Sequence, residues 1–234
     1  MNLHTFQRGG ESIACITLFG DNRNSEVLLW HRRVMVDYFD IPVNYIRCPF
    51  PSVSHGQMMD EALRLTVDIP DAPDYYWWFD NDALILRAAT IDAMYETVKN
   101  KQTVWGQAWQ SSHLLGPNGS AQHPYASQAC LCFSRSLYNA LGRPSCNHNT
   151  RADTAEEITY QAELQGFVVA LSYPSHSDTQ TTALGNGCTY GRGNVYGKPP
   201  MSYHESRTDL DGHVERFTAM AKRVLAGEFE IANL

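Results

Sequence analysis

The chain has 234 residues, enough for one large domain or two small ones at roughly 150 residues per domain. Hydrophobic residues make up 43% and charged residues 18%, which excludes the low-hydrophobicity, high-charge class of disordered chains. The formal net charge of −7 excludes an undirected grip on nucleic acid, and no apolar run approaches the ~20 residues of a membrane span.

The opening Met1-Asn2-Leu3-His4-Thr5 lacks the basic-then-apolar pattern of a signal peptide, so a cytoplasmic protein is expected. Ser12 to Phe19 is a mostly apolar run followed by turn residues from Gly20 to Asn24, which reads as a buried strand and its exit loop. Asn24 or Ser25 can cap a helix in which Val27, Leu28, Val34, Met35 and Tyr38 share a face. Pro42 to Arg47 is a second strand. Gly56 precedes a helix with Met58, Met59, Ala62 and Leu63, and Asp74 to Phe79 is a very apolar third strand. Ile91, Met94, Tyr95 and Val98 mark a third helix. This alternation predicts an α/β fold, with a mainly parallel central sheet and helices on both faces. Ligands of such sheets bind at the carboxyl ends of the strands.

The second half changes character. Thr103 to Gly106 and Ala129 to Phe133 read as strands around a polar loop, Gln110 to Ser127. A short helix follows near Leu137 to Leu141. Asp153 opens another helix, which ends near Gly166, and Phe167 to Leu171 is a strand. Residues 175–202 carry five glycines and two adjacent prolines, which predicts a long flexible loop; loops of that length are usually lids or disordered. Val214, Phe217, Ala221, Val224 and Leu225 form the face of a last helix.

Six cysteines, with no C-x-x-C pair, read as buried free thiols of a reducing compartment. Asn118-Gly119-Ser120 fits a glycosylation acceptor, but such short motifs recur by chance.

Tyr75-Tyr76-Trp77-Trp78-Phe79-Asp80-Asn81-Asp82 is the most informative segment. Five consecutive aromatics read as a strand buried on both faces. Side chains alternate along a strand, so Asp80 and Asp82 point the same way and Asn81 the other. Two oxygen donors on one side suit a hard divalent cation, Mn²⁺ or Mg²⁺, that also takes phosphate oxygens and water. The competing reading is a turn, for which Asp-Asn-Asp is good chemistry. The position after a buried third strand favours the cation.

The segment resembles the D-x-D motif of nucleotide-sugar glycosyltransferases with the GT-A fold, whose pattern is an apolar strand, D-x-D, then a helix. The resemblance covers most of the chain, as an order of elements with degenerate motifs. It implies one domain, with residues 1–100 as the nucleotide-binding half and 101–234 as the acceptor half. It implies that the nucleotide falls on Thr17 to Arg23, with Thr17, Phe19, Asp21 and Arg23 in contact. Asp82 would be the direct metal ligand and Asp80 would touch ribose or metal, with Asn81 beside them. His204, in Tyr203-His204-Glu205-Ser206-Arg207, would complete the metal shell. Arg192 and Arg207 would face phosphate oxygens, and His55 the phosphate or sugar.

An acidic group before a helix, here Asp153, Glu156 and Glu157, would supply the catalytic base of an inverting enzyme. The same residues also read as a capping box, Asp153 with Glu156 three residues on. Trp109 and Tyr125 flank the polar loop and offer faces for an acceptor sugar. The glycine-rich stretch 185–197 would close over the donor. The implied reaction moves a sugar from a nucleotide diphosphate, expected to be UDP-linked, to a carbohydrate or other hydroxyl acceptor. A nucleotidyltransferase would instead need a Gly-rich basic loop after the first strand, where Gly20-Asp21-Asn22-Arg23 has one glycine and one arginine. A non-catalytic sugar- or partner-binding module is the third reading.

Overall fold

A computed structural model describes residues 1–20, 25–49, 52–111, 123–185, 188–205 and 212–230, with backbone alone at 180–185 and 188–190. Its larger sheet comprises β1 (Phe6–Arg8), β2 (Glu11–Gly20), β3 (Val43–Cys48), β4 (Tyr75–Asp80), β6 (Thr103–Gln110), β7 (Pro124–Ser134) and β8 (Val168–Ser172). A smaller sheet holds β5 (Ala83–Ile85), β9 (Pro174–Gly185), β10 (Cys188–Tyr196) and β11 (Ser202–His204). The helices are α1 (Ser25–Arg32), which runs into a π-helical stretch Arg33–Tyr38, then α2 (His55–Thr66), α3 (Ala89–Val98), α4 (Arg135–Ala140), α5 (Glu156–Leu164) and α6 (His213–Leu225).

The larger sheet runs β1-β2-β4-β7-β6-β8, with β3 also on β2. Strands β3, β2 and β4 are parallel neighbours, as are β6 and β8. Antiparallel β7 sits between β4 and β6. The sheet is therefore mainly parallel, as the alternating pattern predicts.

Period-2 alternation divides β2 and β4 between two cores. Ala14, Ile16, Leu18, Tyr76 and Trp78 pack with Met59 and Leu63 of α2, Leu137 of α4 and Ile158 of α5. Ile13, Cys15, Tyr75, Trp77 and Phe79 pack on the other face with Met35, Ile91, Met94 and Val98. A strand covered on both faces must be apolar at every position, which is why β4 reads as an unbroken aromatic run. Each of these buried large side chains contributes about 1.5–3 kcal/mol of transfer free energy. A third core, with Leu84, Tyr203, Phe217 and Val224, joins the smaller sheet to α6.

Several expectations are corrected. The long loop expected over residues 175–202 is the β9–β10 hairpin followed by β11. Its strand character is hidden because the run Ser175 to Thr182 is polar at nearly every position, so no apolar alternation marks it. Irregular register also mixes glycines into the strands, with shifts at Cys188/Thr189, Tyr190/Gly191 and Val195/Tyr196. Gly193 has φ +59°, and a Cβ there would meet the Asp178 carboxylate at 2.2 Å.

A strand, β5, rather than a helix follows the Asp-Asn-Asp turn. Helix α5 starts at Glu156, after Ala155 in the left-handed region (φ 61°), so it opens later than Asp153. One arm of the expected box is present: Glu156 Oε2 accepts from Asp153 N at 2.6 Å. A complete capping box stands at α2 instead, between Ser54 and Gln57. Gly56 lies inside that helix and not before it. It is needed for close approach, since a Cβ would sit 2.4 Å from the Cys146 carbonyl oxygen.

Cys15, Cys48, Cys130, Cys132 and Cys146 are buried and free. Most of the polar loop, and with it Asn118, lies outside the described residues.

Candidate functional site

The site grows from the end of β4. Asp80 is the last residue of that strand, beside Leu18 near the end of β2. The chain then turns through Asn81 and Asp82 into β5. There Ala83 pairs with His204 of β11, and the Asp82 carbonyl accepts from Glu205 N at 3.0 Å. This ladder brings His204 Nε2 to 3.4 Å from Asp82 Oδ1. Asp80, Asp82 and His204 each offer a ligand atom, and these atoms lie within 4.8 Å of one another. Among the described residues no other group of three His, Cys, Asp or Glu side chains does so. Two carboxylates and an imidazole form a donor set that can hold a divalent cation.

Burial sets the electrostatics. Asp82 is 5% exposed and His204 2%, and Asp80 is partly covered. Burial raises the Asp80 pKa, and the Asp82 charge raises it further; His55 and His204 act the other way. His55 Nδ1, at the start of α2, is 3.8 Å from Asp80 Oδ1. Burial alone would lower the His204 pKa, but the Asp82 and Asp80 carboxylates outweigh it and hold the imidazole above its usual range. His204 Nδ1 is buried and has no hydrogen-bond partner among the described residues. The Trp109 ring covers His204 at a centroid distance of 5.3 Å.

Behind the trio, the buried Glu205 carboxylate accepts from Arg216 Nε at 2.9 Å and from the Tyr203 hydroxyl. His213, at the first turn of α6, lies 3.9 Å from the same carboxylate. His31, on α1, shares a 2.9 Å hydrogen bond with the Tyr45 hydroxyl. Burial pushes its pKa down to about 3, partly opposed by the Asp82 charge, so it stays neutral. None of Glu205, His213 or His31 stands out in the sequence, because each reaches the site through non-local packing.

The other expected site residues divide. Thr17 is fully buried between Tyr45 and Phe79, with its hydroxyl unbonded among the described residues. Phe19 is half-buried near the end of β2. Asn81 is half-buried in the turn between the aspartates. Arg192 is half-buried on β10, paired in register with Thr179. Asp21, Arg23 and Arg207 lie outside the described residues.

The acids of the second half form a separate cluster, and none of them belongs to the Asp80–Asp82–His204 group. Glu157 is held by Arg151 and by Gln161 Nε2 at 2.8 Å. Glu156 is 2% exposed, and its pKa is raised by burial against hydrogen bonds from Asp153 N and Ser111.

No family model matches this chain, and no curated protein does. Solved structures do match in outline. The fruit-fly (Drosophila) β-1,4-galactosyltransferase 7, a variant solved with manganese, UDP-Gal and xylobiose, is 12% identical with a TM-score of 0.40. That match spans 67% of this chain and 63% of the other, under two thirds of the fly chain's length. The galactosyltransferase LgtC, in complex with donor and acceptor sugar analogues, is 13% identical with a TM-score of 0.48, over 90% of this chain and 95% of that one. A 4-diphosphocytidyl-2C-methyl-D-erythritol synthase from Anaerococcus prevotii is 10% identical with a TM-score of 0.38, over 68% and 85% of the two chains. No helix among the described residues is long and apolar enough to cross a membrane.

Proposed function

We propose that this chain is a metal-dependent glycosyltransferase that moves a sugar from a nucleotide diphosphate, UDP in the first instance, to a hydroxyl acceptor. The observation that carries the reading is the Asp80–Asp82–His204 trio at the carboxyl end of β4. A parallel sheet offers its ligand crevice at that edge. Two carboxylates crowded beside covering aromatics are costly unless something cationic shares them. The unbonded, buried His204 Nδ1 fits the same need. Mn²⁺ or Mg²⁺ would be held by Asp80, Asp82 and His204, and when bound it would supply Lewis acidity toward a leaving diphosphate.

The chain's own groups do the rest. The Trp109 ring lies against His204 and covers one side of it. His55, beside Asp80, presents a ring nitrogen at the start of α2, where phosphate or sugar oxygens would sit. Phe19 and Asn81, with Asp21 and Arg23, would line the nucleotide, with the buried Thr17 beneath them; Arg192 and Arg207 would meet the phosphates. Of the three acids in the second half, Glu156 is the best base for an inverting reaction. Glu157 is ion-paired with Arg151, whereas burial raises the pKa of the Glu156 carboxyl.

The deciding experiment adds Mn²⁺ with UDP, UDP-glucose, UDP-galactose, CTP or UTP to the purified chain. Melting temperature and release of UDP or pyrophosphate are then followed. Metal-dependent stabilisation by UDP, with UDP released from a UDP-sugar, supports the reading. Pyrophosphate release from CTP or UTP points to nucleotidyl transfer. Stabilisation without turnover under any acceptor points to a binding module. No shift with any nucleotide removes the donor site.

A further inference from the structure

Strand β7 carries one residue that its surroundings do not account for. From Tyr125 to Ser134 every side chain is buried except Gln128. The strand is irregular at this point. Gly106 of β6 faces Leu131, but the next residue, Gln107, faces Ser127, so residues 128–130 of β7 are extra on that side. The bulge brings the two strands together tightly, since a Cβ on Gly106 would lie 2.7 Å from Ala126 Cβ. Bulges of this kind re-aim side chains and are common beside active sites. On the other side Cys130 keeps its pairing with Phe79, one residue before Asp80, so the bulge lies against the end of β4.

The re-aimed side chain lines a narrow recess at the end of β4, together with Leu18, His55, Met59, Trp78 and Asp80. The recess has room for about one water-sized group, so it admits one hydroxyl and not a whole ring. Its polar groups are a carboxylate, an imidazole and an amide. The Gln128 amide oxygen accepts only a long bond, 3.4 Å, from its neighbour Ser127, and the amide nitrogen donates to no described residue. Donor and acceptor side by side, next to a carboxylate, form a set that reads a single hydroxyl of a sugar lying at the mouth of the recess.

We propose that Gln128, acting with His55, recognises one hydroxyl of the sugar carried by the nucleotide donor and so sets which donor is accepted. This rests on the glycosyltransferase reading above, and deepens it by naming a residue that discriminates among donors. The test measures the affinities of UDP, UDP-glucose, UDP-galactose and UDP-N-acetylglucosamine, at saturating Mn²⁺, for wild type, Gln128→Ala and the uncharged, similarly sized Gln128→Met. Wild type should distinguish the UDP-sugars from one another. Both variants should bind UDP within twofold of wild type and lose about tenfold for the preferred sugar nucleotide. The spread among the sugars should collapse. Gln128→Ala should melt within about 2 °C of wild type, because the side chain is half-exposed and weakly bonded. An unchanged spread in the variants overturns the proposal, and so does an equal fall for UDP and every UDP-sugar. A wild type that binds UDP but does not distinguish the sugars also overturns it. A wild type that binds no UDP with Mn²⁺ overturns the functional reading itself, and this inference with it.

Discussion

His204 Nε2 lies 3.4 Å from Asp82 Oδ1 because β11 pairs antiparallel with β5 and sets His204 beside Ala83. Both side chains are buried, so the contact is shielded from solvent. Asp82→Asn keeps the shape and removes a charge from a crowded acidic site, so the metal-free chain should melt within a few degrees of wild type. The extra stability from Mn²⁺ plus UDP should vanish. For a ligand at one hundred times its Kd that extra is about 2.7 kcal/mol, which differential scanning fluorimetry resolves easily. A retained shift would show that Asp82 holds no metal.

The Glu205–Arg216 pair should behave differently. Glu205 is fully buried, and its charge is balanced by the Arg216 guanidinium. Arg216→Met strands that carboxylate and should cost about 3–5 kcal/mol in urea unfolding. Adding Glu205→Gln to the same chain should recover a good part of the loss, because no charge is then left uncompensated. An additive double variant would show that the two side chains do not depend on each other.

Gly56→Ala should destabilise the chain although alanine favours helix. The new Cβ would lie 2.4 Å from the Cys146 carbonyl oxygen and 2.5 Å from Asn147 Cα, both of them backbone atoms. Forcing α2 away from that segment should cost about 1–3 kcal/mol. It should also disturb His55, one residue before, and so weaken UDP binding. A neutral or stabilising result in chemical denaturation would contradict the close packing.

Glu11 should give the fold a modest acid sensitivity. Burial pushes its carboxyl pKa up, but Lys101 and the Tyr75 and Tyr95 hydroxyls, at 2.9 and 3.0 Å, outweigh burial and hold it below the usual range. A pKa lowered by folding stabilises the chain above the unfolded value, about 4.3, and that stability is lost as pH falls through the folded value. Glu11→Gln should therefore cost up to about 1 kcal/mol at pH 7 and much less near pH 3. Urea midpoints of the two chains at both values check this. Equal losses at both pH values would show that the carboxylate charge is not involved.

Local pattern alone made much of this protein legible. The apolar runs of β2 and β4, the helical spacing in α3 and α6, and the alternation of strands with helices specify a mainly parallel sheet covered on both faces. They do so because burial on two faces demands apolar side chains at every strand position. The Asp80-Asn81-Asp82 turn at the end of β4 is a local feature of the same kind. What tertiary structure decided was which distant residues complete that turn. The Ser175 to Thr182 stretch of β9 is polar and β10 mixes glycines into an irregular register, so residues 175–202 read as a loop although Val195, Tyr196 and Tyr203 are buried. Yet their pairing, through β11 onto β5, is what delivers His204 to Asp82. Gln128 is likewise one polar residue in an apolar strand until the bulge against β6 turns it toward Asp80. Register between strands far apart in the chain arises from packing and hydrogen bonding that only the folded molecule contains.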